Sequence, residues 1–527
     1  MVEGVTTQVH VPELDGLVLS TRSGRLTGIR RYVRITGVNP GQDFRCHNNT
    51  IANLARGVAE RVLFLRRGDT FEKCKVPEQA YVDEVLGEFR ERLRRRLPST
   101  TPVELEEFPS FYSGRKRKVY EDAVASLMIE PLTIKDSWLK VFTKFEKINF
   151  TLKPDPAPRI ISPRSPRFNV CLGRYLKPAE HMLYKGIARV WGDRTVAKGL
   201  NSAQTGELIK QKWHSFANPC AIGLDASRFD QHVSIPLLKF EHSIHLHMCP
   251  YQEVRELLSW QLHNKGVGRC PDGKLTYNVD GCRMSGDMNT GSGNCLLMCA
   301  MVWAYAKARD VNCKLINNGD DCVVFMDVKD EVKFSRGLHK WFDDLGFDMK
   351  QEDTVYEIEK IEFCQAHPIH VGDDEYIMVR NIEASLGKDS LALIQANHPD
   401  SVLAWCHAVG SAGTAACGGV PVLDAFYRMY QRCGKNTNKW RHTYLTRGFD
   451  FLARGMNRRG YAVKPETRLS FYIAFGILPE EQEQLERHFD RMVIRDGVPS
   501  APVEISPGLK NEYTQIITLA CERKLDC

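Results

Sequence analysis

Between Lys314 and Met326 the chain reads KLINNGDDCVVFM, and this stretch leaves the backbone little choice. Apolar and β-branched runs, Leu315 and Ile316 on one side and Val323, Val324 and Phe325 on the other, flank Asn-Asn-Gly. That is the pattern of strand, tight turn and strand. The turn carries adjacent carboxylates, Asp320 and Asp321, at one edge of a sheet. Like charges this close raise each other's pKa, so a bound divalent cation is the natural way to keep both ionised at neutral pH. Asn, Gly and Asp are also the common residues of a solvated turn. The hairpin therefore constrains the fold more than the chemistry.

A chain of 527 residues exceeds one ordinary core, and several subdomains are expected. Hydrophobic content of 43% and charged content of 26% are those of a globular protein. The net charge of +7 is modest but unevenly spread, and its local basic clusters point to a polyanionic partner. The 17 cysteines are scattered without zinc-finger spacing, as expected of reduced thiols in a cytosolic protein. His242, His245, His247 and Cys249 match no standard zinc pattern and read as a helix face. The N-terminus lacks the layout of a signal peptide. The longest apolar run, Cys295 to Ala306, is shorter than the about 20 residues of a membrane span, so no transmembrane segment is expected in this chain.

Residues 1 to about 85 carry no assignable chemistry. From Val82 to Leu97 the helical period places Val85, Leu86, Phe89, Leu93 and Leu97 on one face and arginines on the other. Next, Arg115, Lys116, Arg117 and Lys118 stand between Tyr112 and Tyr120. Cations interleaved with aromatics suit single-stranded nucleic acid, and a plain basic loop is the alternative. The segment from Lys135 to Arg174 alternates apolar residues with Lys144, Lys147 and Lys153, then stiffens with prolines around Arg159, Arg164 and Arg167. A rigid guanidinium suits a triphosphate, whose oxygens it can pair two at a time. From about Asp389 the chain reads mainly helical, with a second basic stretch over Lys435 to Arg459.

Upstream of the hairpin, CAIGLDASRFDQHVS is an apolar strand that delivers Asp225 at its end and Asp230 five residues later. If Asp225 and the Gly-Asp-Asp turn share neighbouring strands, they make an oxygen-rich site of the kind Mg²⁺ favours. Two such ions about 4 Å apart would promote in-line nucleotidyl transfer. Between the strands, RMSGDMNTGSGN is a loop rich in glycine and hydroxyls, followed by a long apolar helix. Gly286, Gly291 and Gly293 permit close backbone approach, and Ser285, Thr290 and Asn294 offer uncharged polar groups.

Basic finger, DxxxxD, SGxxxTxxxN and GDD, in that order, resemble the RNA-dependent RNA polymerases of positive-strand RNA viruses, most closely the tombusvirus and carmovirus type. LDASRFDQH, SGDMNTGSGN and KPDPAPRIISPRSPRFNVCLGRYL carry the likeness, which spans about Phe111 to Asp389. The resemblance implies that Asp225 and Asp320 bind metal, joined by the carbonyl of Ala226 and assisted by Asp321. It implies two Mg²⁺ ions, with Mn²⁺ as a possible substitute. Asp230 would read the ribose 2′-hydroxyl with Asn294 and Thr290, and Ser285 would lie near nucleotide and template. Arg159 would hold the triphosphate, helped by Lys144 and Lys153. Lys350 would protonate the leaving pyrophosphate. Arg115, Lys116, Arg117, Arg164 and Gly286 would contact RNA, and IEFCQAHPI resembles the hairpin that grips the primer.

The implied fold is mixed α+β with right-hand architecture. Fingers are expected over 90–218 and 237–280, a palm of antiparallel sheet and helices over 219–236 and 281–380, and a helical thumb over 381–527, with 1–89 packing on fingers or thumb. The expected partners are RNA template and product, ribonucleoside triphosphates, a viral accessory replication protein and host factors. The expected location is the host cytoplasm, at membrane-associated replication complexes reached through a partner or an upstream region. A carboxylate-dependent nuclease and a catalytically silent RNA-binding factor are the competing readings. The first leaves the Ser285 loop, Arg159 and Lys350 without work, and the intact Asp225, Asp320 and Asp321 argue against the second.

Overall fold

Asn318 pairs with Asp321, so Gly319 and Asp320 alone make the turn of the central hairpin. Gly319 supplies the positive φ of 93° that a two-residue hairpin turn needs at this point. The computed structural model describes residues 1–22, 28–35, 38, 42–151, 153–393, 400–436 and 453–494. Its architecture is mixed helix and sheet.

The hairpin strands Cys313–Asn318 and Asp321–Asp327 continue into a four-stranded antiparallel sheet. Pro219–Ala226 lies beside Asp321–Asp327, and Met349–Gln351 forms the far edge. Period-two alternation decides what each face buries. Cys220, Ile222 and Leu224 join Cys322, Val324 and Met326 in the largest core, which includes the helix Thr290–Ala308. Ala221, Val323, Phe325 and Ile316 pack on the other face against Leu208, Ile209 and Trp213 of the helix Ser202–Trp213. Both faces are covered, which explains why these strands read as nearly continuous apolar runs. Thr290–Ala308 is buried from Ser292 to Val302 without interruption, a core helix apolar on every side. No helix among the described residues is long and apolar enough to cross a membrane.

A second sheet draws on distant parts of the chain, in the order Leu17–Thr21, Gly273–Asp280, His263–Cys270, Leu139–Thr143 and Ile160–Ile161. A third joins Val2–Glu3 and Arg31–Arg34 to Leu391–Ala392. Residues of the N-terminal region thus pair with Gly273–Asp280, in the sheet that also holds Leu139–Thr143, and with the strand that precedes the C-terminal helices. Those helices, Asp400–Cys417, Leu423–Cys433, Pro465–Phe475 and Pro479–Arg491, form a separate core around Phe426, Tyr427, Phe471 and Phe489. The helix foreseen near Val82 spans Gln79–Arg94 and buries Val82, Leu86, Phe89 and Leu93, while Val85 is half-buried. Most of the basic stretch at 435–459 lies outside the described residues.

The His242 to Cys249 segment is a helix face with no metal geometry. Among the described residues no group of three or more His, Cys, Asp or Glu side chains is arranged to hold an ion. His245 Nε2 lies 3.1 Å from Glu241, and the Cys249 thiol faces Thr100 and the Tyr175 carbonyl.

Candidate active site

In the central sheet Asp225 stands directly opposite Asp321 on one side and Lys350 on the other. Three charged residues that are far apart in sequence therefore share one end of one sheet. An open cavity of about 1010 Å³ begins there. Asp225, Ala226, Asp230, Ser285, Asp320, Lys350, Lys153 and Arg159 all line it.

The electrostatics are those of carboxylates crowded at a half-buried edge. Burial, then the charge of Asp320, raises the Asp225 carboxyl above its usual range, against the pull of Lys350 and Lys153. Asp321 is pushed up to about 6 by burial, opposed by a backbone hydrogen bond from Cys364. That N–H donates to Asp321 Oδ2 at 2.9 Å, which turns the carboxylate towards the segment IEFCQAHPI and off the cavity wall. Cys364 and Gln365 adopt positive φ before the hairpin Ala366–His370 and Tyr376–Arg380. Asp320 faces the cavity and Asp321 anchors the neighbouring hairpin. Asp225 and Asp320, on the same cavity wall as Ala226, offer the hard carboxylate oxygens that suit Mg²⁺. Their mutual repulsion is what a divalent cation would relieve.

The turn itself is held by a residue whose pattern in the sequence gave no warning. Asn317 is fully buried, and its side-chain amide donates to the carbonyls of Gly319 (2.7 Å) and Asp321 (3.3 Å). Its Oδ1 accepts from the Gly319 N–H at 3.2 Å. The Asn317 backbone is bonded in turn to Thr195 and Ala197, so the tip that carries Asp320 is clamped from both sides.

Asp230 is held by Asn294, whose Nδ2 donates to its Oδ1 at 2.7 Å. Burial raises the Asp230 carboxyl, while the Asn294 bond and the charge of Arg283 oppose the rise. The hydroxyl of Thr290 does not reach the cavity. It lies 2.8 Å from the Met284 carbonyl and 3.0 Å from that of Asp287, closing the loop before the helix. Gly286, at φ 132°, packs on Pro163, where an added Cβ would come within 3.0 Å of Cα.

Other basic residues stand off the cavity. Arg164 is 2% exposed and spends its guanidinium on Asp287 (2.6 Å), the Ser137 carbonyl and Asn264. This corrects its reading as an RNA contact: it is a buried strut beneath the Gly286 loop. Lys144 does not line the cavity and pairs with Glu146 at 2.7 Å, a carboxylate that also lies 3.2 Å from Arg159. Arg115, Lys116 and Arg117 belong to the first turn of the helix Gly114–Ile129. Arg117 pairs with Glu121, and Lys116 sits 4.4 Å from the Tyr112 ring centroid. Tyr112 and Tyr120 meet each other and Phe108 in tilted and edge-on contacts, with Tyr120 buried and Tyr112 half-buried, so these rings are spent largely on packing.

Arginines from the featureless N-terminal region complete the wall. Arg56, Arg61, Arg66 and Arg67 line the cavity with Arg228. Glu60 alone serves three of these, Arg56 at 2.9 Å, Arg66 at 3.2 Å and Arg228 at 3.6 Å. Burial, then the neighbouring charges of Arg228 and Arg159, lower Arg61 to about 10. Like charges gathered round a cleft are stabilised by a polyanion. Arg228, a non-glycine residue at φ 52°, marks backbone strain three residues after Asp225.

The chain as a whole has relatives among viral proteins. A family model described as viral RNA dependent RNA polymerase matches residues 18–496, and the chain belongs to that family. It is 43% identical over 472 residues to the RNA-directed RNA polymerase of Turnip crinkle virus, a match covering 88% of this chain and 60% of that protein. Identity to the enzyme of Tobacco necrosis virus (strain A) is 41% over 508 residues, covering 95% and 70% respectively. For Melon necrotic spot virus it is 40% over 512 residues, covering 94% and 64%. The chain thus spans about three fifths to seven tenths of the length of these relatives.

Proposed function

We propose that this chain is an RNA-directed RNA polymerase that replicates a positive-strand viral RNA by two-metal nucleotidyl transfer. The observation that carries the reading is the cross-strand register: Asp225 opposite Asp321 and Lys350, with Asp320 on the same cavity. Under this reading residues 90–218 and 237–280 act as fingers, 219–236 and 281–380 as palm, and 381–527 as thumb, with 1–89 completing the nucleotide wall.

Asp225, Asp320 and the Ala226 carbonyl would hold two Mg²⁺ ions, which Mn²⁺ could replace, and the pair supplies charge neutralisation at the attacking 3′-hydroxyl and the leaving pyrophosphate. Asp321 holds the primer-side hairpin through Cys364. Asp230, positioned by Asn294, accepts a hydrogen bond from the ribose 2′-hydroxyl, which a deoxyribonucleotide lacks. Arg159, Lys153, Arg61 and Arg228 orient the triphosphate. Lys350, which lines the cavity beside Asp225, delivers the proton to pyrophosphate. Ribonucleoside triphosphates and an RNA template are the substrates. A viral accessory protein and host factors would bring the chain to membrane-associated replication complexes in the host cytoplasm.

One assay tests the reading. Purified protein is incubated with an RNA template, four ribonucleotides and Mg²⁺, with Asp320→Ala in parallel. Template-complementary product from the wild type alone supports a polymerase. Shortened template would favour a nuclease, and gel retention without either would favour a binding factor.

A further inference from the structure

Behind Asp230 lies a buried polar chain that reaches a helix with no place at the cavity. Asn294 donates to Asp230 through Nδ2, and its Oδ1 accepts from Arg283 Nε at 3.1 Å. A primary amide presents a donor and an acceptor on opposite arms, so occupying Oδ1 fixes Nδ2 on Asp230. Arg283 is paired through Nη2 with Glu241 of the helix Ile235–Met248, and both side chains are 0% exposed. Glu241 Oε1 accepts from Asn289 Nδ2 at 2.6 Å, and Asn289 Oδ1 accepts from Gln261 Nε2 at 2.9 Å. His245 Nε2 lies 3.1 Å from the same Glu241 oxygen.

Gly293 shows how closely the helix bearing Asn294 sits on this pair. A Cβ there would come within 2.5 Å of both Arg283 Nη2 and Glu241 Oε1. The backbone adds a second tie, because Arg283 N–H donates to the Asp230 carbonyl at 2.8 Å. A buried ion pair often gives little net stability against apolar replacements of similar volume. What this one does is hold a single amide in a single orientation.

We propose that Glu241 is a positioning residue for sugar selection: through Arg283 and Asn294 it aims the Asp230 carboxylate at the 2′-hydroxyl of the incoming nucleotide. Glu241 never touches substrate. Its loss frees Arg283 to bond elsewhere, lets the Asn294 amide turn over, and leaves Asp230 without a fixed donor. The arrangement explains why a site that reads one hydroxyl draws on polar residues spread from Glu241 to Asn294. The inference rests on the polymerase reading.

The test is single-nucleotide incorporation on a primed RNA template with ATP and with dATP, comparing wild type, Glu241→Gln, and the volume-matched pair Glu241→Leu/Arg283→Met. Glu241→Gln keeps the shape and one acceptor for Asn289 but removes the charge. Its kcat/KM for ATP is expected to fall about tenfold with dATP changed less than about twofold, so that discrimination collapses by about tenfold. The double variant keeps the fold if the pair is not needed for stability, and should lose discrimination to a similar degree. Equal losses for ATP and dATP in a folded variant would mean a purely structural role and overturn the inference, as would discrimination kept by the double variant. A wild type that incorporates neither nucleotide refutes the polymerase reading, and the inference falls with it. A wild type that discriminates beside variants that discriminate equally refutes the inference alone.

Discussion

The guanidinium Nε of Arg61 donates to the carbonyl of Ala157 at 3.1 Å, which sets an arginine of the N-terminal region two residues from the backbone of Arg159. The two side chains line the same cavity as Asp225 and Asp320. The charge of Arg159 adds to the lowering of Arg61, a crowding that an anion bound between them would relieve.

Arg61→Ala is therefore expected to raise KM for ribonucleoside triphosphates about tenfold while kcat falls by less than about threefold. Arg61→Lys restores the charge without the bond to Ala157 and should recover part of the loss. Steady-state incorporation measures both. A KM unchanged in Arg61→Ala would remove the N-terminal region from nucleotide binding.

The two carboxylates of the turn should not be equivalent. Asp320→Ala is expected to lower incorporation by on the order of 10³-fold, because it strips the cavity of an oxygen donor that transition-state charge depends on. Asp321→Asn keeps an acceptor for the Cys364 N–H and should cost roughly tenfold. Parallel primer-extension assays decide; equal losses would show that Asp321 also acts at the cavity.

Asn317→Ala removes three hydrogen bonds from a buried turn. A loss of about 2–3 kcal/mol in local stability is expected from the groups left unpaired. Hydrogen exchange at Gly319 should speed up accordingly. Activity should fall further than the melting temperature, since the tip that moves is the one bearing Asp320.

Lys147 gives a pH signature. Its Nζ donates to the Lys388 carbonyl and lies 5.9 Å from the Trp405 ring centroid, joining the basic-finger segment to the C-terminal helices. Burial lowers the ammonium to about 8; Asp389 opposes the shift and Arg380 and Lys388 add to it. A lysine lowered on folding favours the native state in its neutral form, so native stability rises with pH from about 8 to the unfolded value near 10.4. The melting temperature of wild type minus that of Lys147→Met should climb over this window and stay flat from pH 6 to 7. A flat difference throughout would mean that Lys147 titrates normally.

Features encoded in contiguous residues were legible before the structure. The hairpin at Asp320, the amphipathic helix ending near Arg94 and the apolar helix Thr290–Ala308 each follow from a local period. Long-range pairing left no such trace. Nothing in Leu17–Thr21 announces that it will lie against Gly273–Asp280, and nothing near Arg61 announces Ala157. Charge misled where the partner was remote. Arg164 reads as a free cation until Asp287 is brought to it, and Tyr112 and Tyr120 read as stacking surfaces until Phe108 covers them. Asn317 and Glu241 were invisible because buried polar residues reveal their purpose only through the bonds they make.

The small sheet of Val2–Glu3, Arg31–Arg34 and Leu391–Ala392 sets an order of events for a growing chain. Residues 31–34 meet one of their two neighbours early, but the other emerges more than 350 residues later. Contacts of such separation form late, after loop closure has been offset by other packing. The five-stranded and central sheets can assemble while this seam is still open, and the wall of arginines near Arg61 can draw together before the last strand arrives. Residues 33 and 34 are then locked only once residues 391 and 392 have emerged, and a ribosome stalled short of residue 391 would leave an enclosure that is built but not latched.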